Sequence, residues 1–186
     1  MTYQFIIELK ESEPLIWRRI TVPATYTFFQ LHMAIQAAFG WENCHLFQFS
    51  ENGMRDNTCY AEVFENIDTD FATINARKTK MRKVFKKENQ SYTYIYDFGD
   101  CWTHLLTLKK RVDEEIYRPF CIDGGGACPP EDVGGMGGYQ ELLKIFSIPG
   151  HPEQDDYREW LGLEPGEKWD PAFFSIREVN KRMALL

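Results

Sequence analysis

Two stretches of the chain concentrate side chains able to handle protons or cations. Residues 94–104 read Tyr-Ile-Tyr-Asp-Phe-Gly-Asp-Cys-Trp-Thr-His, so Asp97, Asp100 and His104 gather around one turn. A two-residue turn at Gly99-Asp100 pairs Asp97 opposite Trp102 and sends His104 to the same face, two residues further along. A carboxylate diagonal to an imidazole could orient a general base or offer two ligands to a metal. It would also favour the imidazolium and hold His104 above its ordinary pKa of about 6.5. The competing reading is structural: Asp97 and Asp100 hydrogen-bond the turn backbone, and His104 is a satisfied, semi-buried residue. The second stretch, Cys128-Pro129-Pro130-Glu131-Asp132-Val133-Gly134-Gly135, sets two acids on a proline-stiffened loop. Adjacent carboxylates could coordinate a hard cation, or divide into a proton donor and an ionised partner. Such a pair also serves to cap a helix or bind loop amides.

His32 and His45 are further residues that could approach this centre, although neither belongs to an H-x-x-x-H pair and each alone reads sooner as a core or interface histidine. The glycines before Tyr139 open onto a helix N-terminus, where amides favour anions. They lack the Lys-Ser/Thr of a P-loop and the G-x-G-x-x-G spacing. Asp97-Phe98-Gly99 matches the magnesium-binding triplet of protein kinases, but no H-R-D segment accompanies it, and that match is discarded.

The elements that must position these residues follow from hydrophobic periodicity. Alternation over Tyr3 to Leu9 and Ile16 to Val22 predicts an antiparallel hairpin. Thr27 can cap a helix in which Leu31, Ile35, Ala38 and Phe39 recur, with Gly40 placed to end it. His45 to Ser50 reads as a third strand, while residues 51–75 are polar and unassigned apart from a short strand near Tyr60. Ser91 to Phe98 and Cys101 to Lys110 form the clearest hairpin, and three short helices are predicted at 139–146, 153–161 and 175–184. The expected fold class is α+β: a single domain over residues 1–186, with a mainly antiparallel sheet of about five to six strands against helices and a helical C-terminal part.

Composition bounds the function. With 44% hydrophobic residues and 15% aromatics in 186, the chain can fill one core. No apolar run approaches the roughly 20 residues of a membrane span, and the start, with Glu8, has no signal-peptide pattern. Five cysteines, odd in number and never C-x-x-C, suggest free thiols in a reducing cytoplasm and argue against a disulfide framework or zinc knuckle. Arg77, Lys78, Lys80, Arg82, Lys83, Lys86 and Lys87 place seven positive charges in 11 residues; the net charge of −7 therefore leaves −14 elsewhere. That balance excludes a uniformly basic nucleic-acid groove but leaves a local basic patch, whose ordinary reading is a solvated face. No cofactor, metal or partner is named by any of these signals.

Taken in order, Trp17-Arg18-Arg19, Leu31-His32, Phe39-Gly40-Trp41, His45-Leu46, the 96–104 and 129–135 motifs, Gly138-Tyr139 and Trp169-Asp170-Pro171 resemble the plasmid pRi ORF-3-like family over nearly the whole chain. The resemblance implies a compact α+β fold on an antiparallel sheet, occurrence beside plasmid or transposon genes, and no assigned biochemical function. A resolvase-like label attaches to some members; here neither a serine-recombinase pattern nor a helix-turn-helix accompanies it. The family's two signature motifs coincide with Asp97, Asp100, His104, Glu131 and Asp132, which supports a shared polar site. Three readings stay open: a binding or interaction module built on that site, a metal-assisted hydrolase using it, and a mobile-element accessory contacting nucleic acid through residues 77–87.

Overall fold

The computed structural model describes residues 1–54, 56–63, 72–167 and 169–186; part of the unassigned 51–75 stretch thus lies outside the described residues. The first predicted hairpin is present as β1 (Thr2–Leu9) and β2 (Trp17–Pro23), paired antiparallel. Phe5, Ile7 and Leu9 are completely buried, as their period of two requires. Helix α1 (Phe28–Phe39) begins at a capping box: Thr27 Oγ1 accepts from Gln30 N at 3.2 Å and Gln30 Oε1 accepts from Thr27 N at 3.0 Å. It ends at Gly40, whose φ of 105° is open to glycine and costly for other residues. Leu31, Ala34, Ile35 and Ala38 bury its apolar stripe in the core shared with the sheet.

The remaining elements are β3 (Phe47–Ser50), β4 (Thr58–Ala61), β5 (Ala72–Asn75), β6 (Ser91–Tyr96), β7 (Trp102–Val112), β8 (Phe120–Gly125), α2 (Gly135–Ser147), α3 (Gln154–Trp160) and α4 (Ile176–Met183). The α+β class holds, but the sheet has eight strands, not five to six, in the order β5-β4-β3-β6-β7-β1-β2-β8. It is mixed, because β5 runs parallel to β4. The two unforeseen strands carry weak signals: β5 is four residues long, and β8 reads Phe-Cys-Ile-Asp-Gly-Gly, glycines that lower strand propensity. Helix α2 starts four residues before its expected start, within the glycines that local propensity disfavours.

The basic run folds as a 3-10 turn at Met81–Lys83, with Met81 and Phe85 fully buried beneath it. All seven of its charged residues are exposed. Arg77 is nonetheless engaged, pairing with Glu62 at 2.7 Å and lying 3.4 Å over the Phe29 ring.

The 94–104 hairpin departs from the expected register. Tyr96 faces Trp102 and Tyr94 faces His104, so the connection is the five residues 97–101, not the two-residue turn Gly99-Asp100. Asp97 and Cys101 both adopt positive φ, at 55° and 57°, which lets the chain turn over that length. A slip of one residue reverses a side chain's face. Asp97 therefore leaves the sheet, while Trp102 and His104 point into the core.

Candidate functional site

His104 is fully buried in an aromatic box, with the rings of Phe39, Trp41 and Tyr94 centred 4.9, 5.3 and 5.3 Å away. Neither ring nitrogen makes a well-formed hydrogen bond, although the Tyr94 and Trp102 main chain lies near. Burial pushes its pKa down to about 3, the opposite of the rise a neighbouring Asp97 would have caused. Trp102, 1% exposed, is core as well. The expected Asp97–His104 pair is absent, and His104 is not part of the polar site.

His32 is also structural. Gln36 Nε2 donates to Tyr94 OH at 3.0 Å, Tyr94 OH donates to His32 Nδ1 at 2.8 Å, and His32 Nε2 donates to Asn43 Oδ1 at 2.7 Å. Asn43 N in turn donates to Gln36 Oε1 at 2.9 Å. This closed set of donors and acceptors suits a neutral imidazole, and burial pushes the pKa down to about 4. Asn43, at φ 57°, ends the network and turns the chain toward His45.

His45 is where the two signature motifs meet. It lies in the loop before β3, not within a strand, with its Nε2 3.2 Å from Asp132 Oδ1, 3.8 Å from Asp97 Oδ2 and 3.9 Å from Glu131 Oε2. One ligand atom each from His45, Asp97 and Asp132 falls within 4.8 Å of the others. The side chains of His45, Asp97 and Glu131 are 27%, 11% and 22% exposed, and that of Asp132 is 73% exposed, so the group has one wet side.

Each carboxylate is held by its outer contacts. Asp97 Oδ1 accepts from Gly99 N at 2.8 Å, an Asx turn that leaves Oδ2 toward His45. Glu131 Oε1 accepts from Glu42 N at 2.9 Å and from Tyr96 OH at 3.0 Å. Tyr96 OH itself accepts from Cys44 N at 3.0 Å, and burial together with the Glu131 bond raises the phenol pKa above its usual value of 10. Trp41 Nε1 donates to Pro129 O at 3.1 Å, tying the proline loop to α1.

Asp100 serves the framework instead, its Oδ2 accepting from Gly134 N at 3.1 Å at the start of α2. The anion at that helix N-terminus is thus a side chain of the protein itself. The glycines permit the approach. A Cβ on Gly135 would lie 2.7 Å from Asp100 O, and one on Gly138 would overlap Val133 O. Of the proposed polar residues, then, Asp97, Glu131, Asp132 and His45 come together, Asp100 braces the two loops, and His32, Trp102 and His104 belong to the core. Tyr96 and Asn43 position the site without having been singled out. Tyr96 could have been found as the neighbour of Asp97, whereas Asn43 had no signal beyond its place near His45.

Comparison with known proteins places the chain in a family. The profile of the family described as "Plasmid pRiA4b ORF-3-like protein" matches residues 1–178. The chain is 34% identical over 179 residues to the uncharacterized protein y4hQ of Sinorhizobium fredii, covering 94% of this chain and 87% of that one. It is similar in structure to the protein of unknown function MM3350 from Methanosarcina mazei Go1, at TM-score 0.77 and 34% identity over 95% of this chain and 96% of that one. The match of sequence and fold over nearly the full length means that the chain belongs to the plasmid pRiA4b ORF-3-like family.

Proposed function

We propose that His45, Asp97 and Asp132, with Glu131 beside them, bind a first-row divalent cation, and that the protein is a cation-dependent binding module formed by one domain spanning residues 1–186. The observation that carries this reading is a pair of orphaned atoms. His45 Nε2 and Glu131 Oε2 are both buried, lie 3.9 Å apart, and neither makes a hydrogen bond of acceptable geometry. A cation on His45 Nε2 would satisfy that nitrogen directly and Glu131 Oε2 through a water it carries. Ligands at about 2.1 Å from a tetrahedral metal sit roughly 3.4 Å apart; the 3.2 and 3.8 Å separations from His45 to Asp132 and Asp97 bracket that spacing. One imidazole with carboxylates suits hard Mn²⁺ or borderline Zn²⁺ better than a soft ion such as Cu⁺. Five free thiols suit a reducing compartment, and the cytoplasm is the proposed location.

A second reading, a metal-assisted hydrolase, draws support from the same geometry. Three protein ligands leave coordination positions for water, and the Glu131 carboxylate stands ready as a base. The test of the shared premise is calorimetric titration of chelator-stripped protein with Mn²⁺ and Zn²⁺. One ion should bind per chain. Changes around a ligand typically cost about 10–100-fold in affinity, so His45→Ala and Asp132→Asn should each cost at least that. Equal affinity in His45→Ala would remove the site.

A further inference from the structure

A cleft of about 600 Å³ opens beside the candidate cation site, between the C-terminal end of α1, the 127–132 loop, the end of α3 and the segment entering α4. Glu131 and Asp132 border one part of it, and two arginines line another. Arg18, from β2, is 3% exposed. Its Nε donates to Ala38 O, Nη1 to Trp17 O and Gly125 O, and Nη2 to Gly126 O, all at 2.8–2.9 Å. The Phe39 and Phe174 rings lie 5.0 and 4.8 Å from the guanidinium carbon. Every one of these partners is neutral, and the bonds leave one guanidinium N–H unassigned.

Arg182, on α4, donates through Nε to Ala37 O at 2.9 Å. Among the described residues neither arginine has a carboxylate within ion-pair distance, and nearby Glu178 pairs instead with Lys181 at 2.8 Å. Burial lowers the Arg18 pKa, and the charge of Arg182 acts in the same direction, so the two cations repel. A buried arginine is ordinarily paired, because its desolvation is costly without an anion. Here Arg18 is buried without one, and the exposed Arg182, with Glu178 near it but beyond ion-pair distance, adds a second positive charge at the same cleft.

The rest of the wall is aromatic. Trp160 and Phe173 are 49% and 60% exposed, and Trp41 and Trp169 line the same cleft. Exposed aromatic faces beside paired cations make a surface complementary to one chemical class. We propose that this cleft binds a small, flat oxyanion, an aromatic ring bearing a carboxylate or a phosphate, with the oxyanion on Arg18 and Arg182 and the ring on the tryptophan and phenylalanine faces. Arg182, bonded only through Nε, can present its two Nη groups to either oxyanion, Arg18 adds one remaining N–H, and the aromatic wall supplies stacking area. The volume lies within the range of small-molecule sites, about 300–1,000 Å³. Glu131 and Asp132 repel an anion at their end, which sets the ligand's direction. The proposal does not rest on the cation reading, because the arginines and aromatic rings that hold the anion are not among the cation ligands.

The experiment is calorimetric titration of the whole chain in chelator with 1-naphthyl phosphate, 1-naphthoate and neutral 1-naphthalenemethanol. Both anions should bind saturably at one per chain, and the neutral probe should bind at least about tenfold more weakly. The tighter of the two anions identifies the source of the natural ligand, phosphoryl or carboxylate. Arg18 is tied into the fold, so exposed positions carry the mutational test: Arg182→Gln and Phe173→Ala should each weaken 1-naphthyl phosphate by about tenfold, while Lys83→Gln, in the exposed basic run and outside the cleft, should leave it unchanged. Absence of saturable binding up to millimolar probe, equal binding of the neutral probe, or unchanged binding by Arg182→Gln would overturn the proposal. So would loss of binding in Lys83→Gln, which would put the anion on the basic run instead of the cleft.

Discussion

Two histidines with the same intrinsic chemistry meet opposite environments here. His45 faces three carboxylates at 3.2–3.9 Å, whereas His104 faces aromatic rings and is wholly buried. The core pair, His32 and His104, makes stability depend on pH. Their folded pKa values, about 4 and about 3, lie below the ordinary 6.5, so the unfolded chain binds protons that the folded chain refuses. The stabilising difference is present above pH 6.5 and is lost as pH falls toward those folded values. At pH 5 each should cost on the order of 2 kcal/mol. Urea denaturation at pH 7 and pH 5 measures the loss, and His104→Phe, which suits the same aromatic box, should show a distinctly smaller difference between the two. A variant losing as much as wild type would mean that His104 is not the refusing group.

At the scale of elements, the Pro-Pro-Glu-Asp-x-Gly-Gly motif is a joint between the 97–101 loop and α2. Asp100 caps the helix, and Gly135, at φ 66°, lets the Asp100 carbonyl approach. Gly135→Ala should therefore cost about 1–3 kcal/mol or more, from left-handed strain and overlap together. Gly137, exposed in the same helix with nothing within 4 Å of a built Cβ, is the control. Gly137→Ala should stabilise by up to about 1 kcal/mol, since alanine loses less entropy in a helix. Paired denaturation curves decide it: equal effects would show that the close approach carries no weight. A second joint closes the sheet's far edge. Asn180 on α4 accepts from Cys121 N at 2.7 Å and donates to Cys121 O at 3.0 Å, imitating a neighbouring strand on β8.

Across the whole molecule, charge is segregated. The seven cations of residues 77–87 are exposed over a buried Met81 and Phe85, on a chain of net charge −7. Their apolar neighbours hold the segment, and the lysines add solvation. The triple change Lys83→Gln, Lys86→Gln and Lys87→Gln should alter stability by no more than about 0.5 kcal/mol, read from thermal unfolding. A cooperative loss of fold would instead show that these charges are structurally paired. Arg77 is different in kind, because it is shared between Glu62 and the Phe29 ring.

How much of this was legible from the chain alone depended on the range of the interactions. The β1–β2 hairpin, the Thr27 cap, the Gly40 stop and the helical C-terminal part follow from neighbours a few residues apart, and periodicity and capping chemistry determine them. The two signature motifs could likewise be picked out, because each concentrates carboxylates within a few residues of a turn or a proline-stiffened loop. Tertiary structure decided the rest. The turn at 97–101 depends on two non-glycine residues in the left-handed region, a choice that local propensity opposes and surrounding contacts impose. That single-residue difference in register exchanged His104 for His45 at the site, because side chains alternate along a strand. Arg18 entered the sequence reading only within the Trp17-Arg18-Arg19 segment, with no role attached, and only the approach of α1, β8 and the segment before α4 made it a buried cation at a cleft. No spacing along the chain encodes that meeting, since its partners lie about 20 and 107 residues away and burial is a property of the assembled fold.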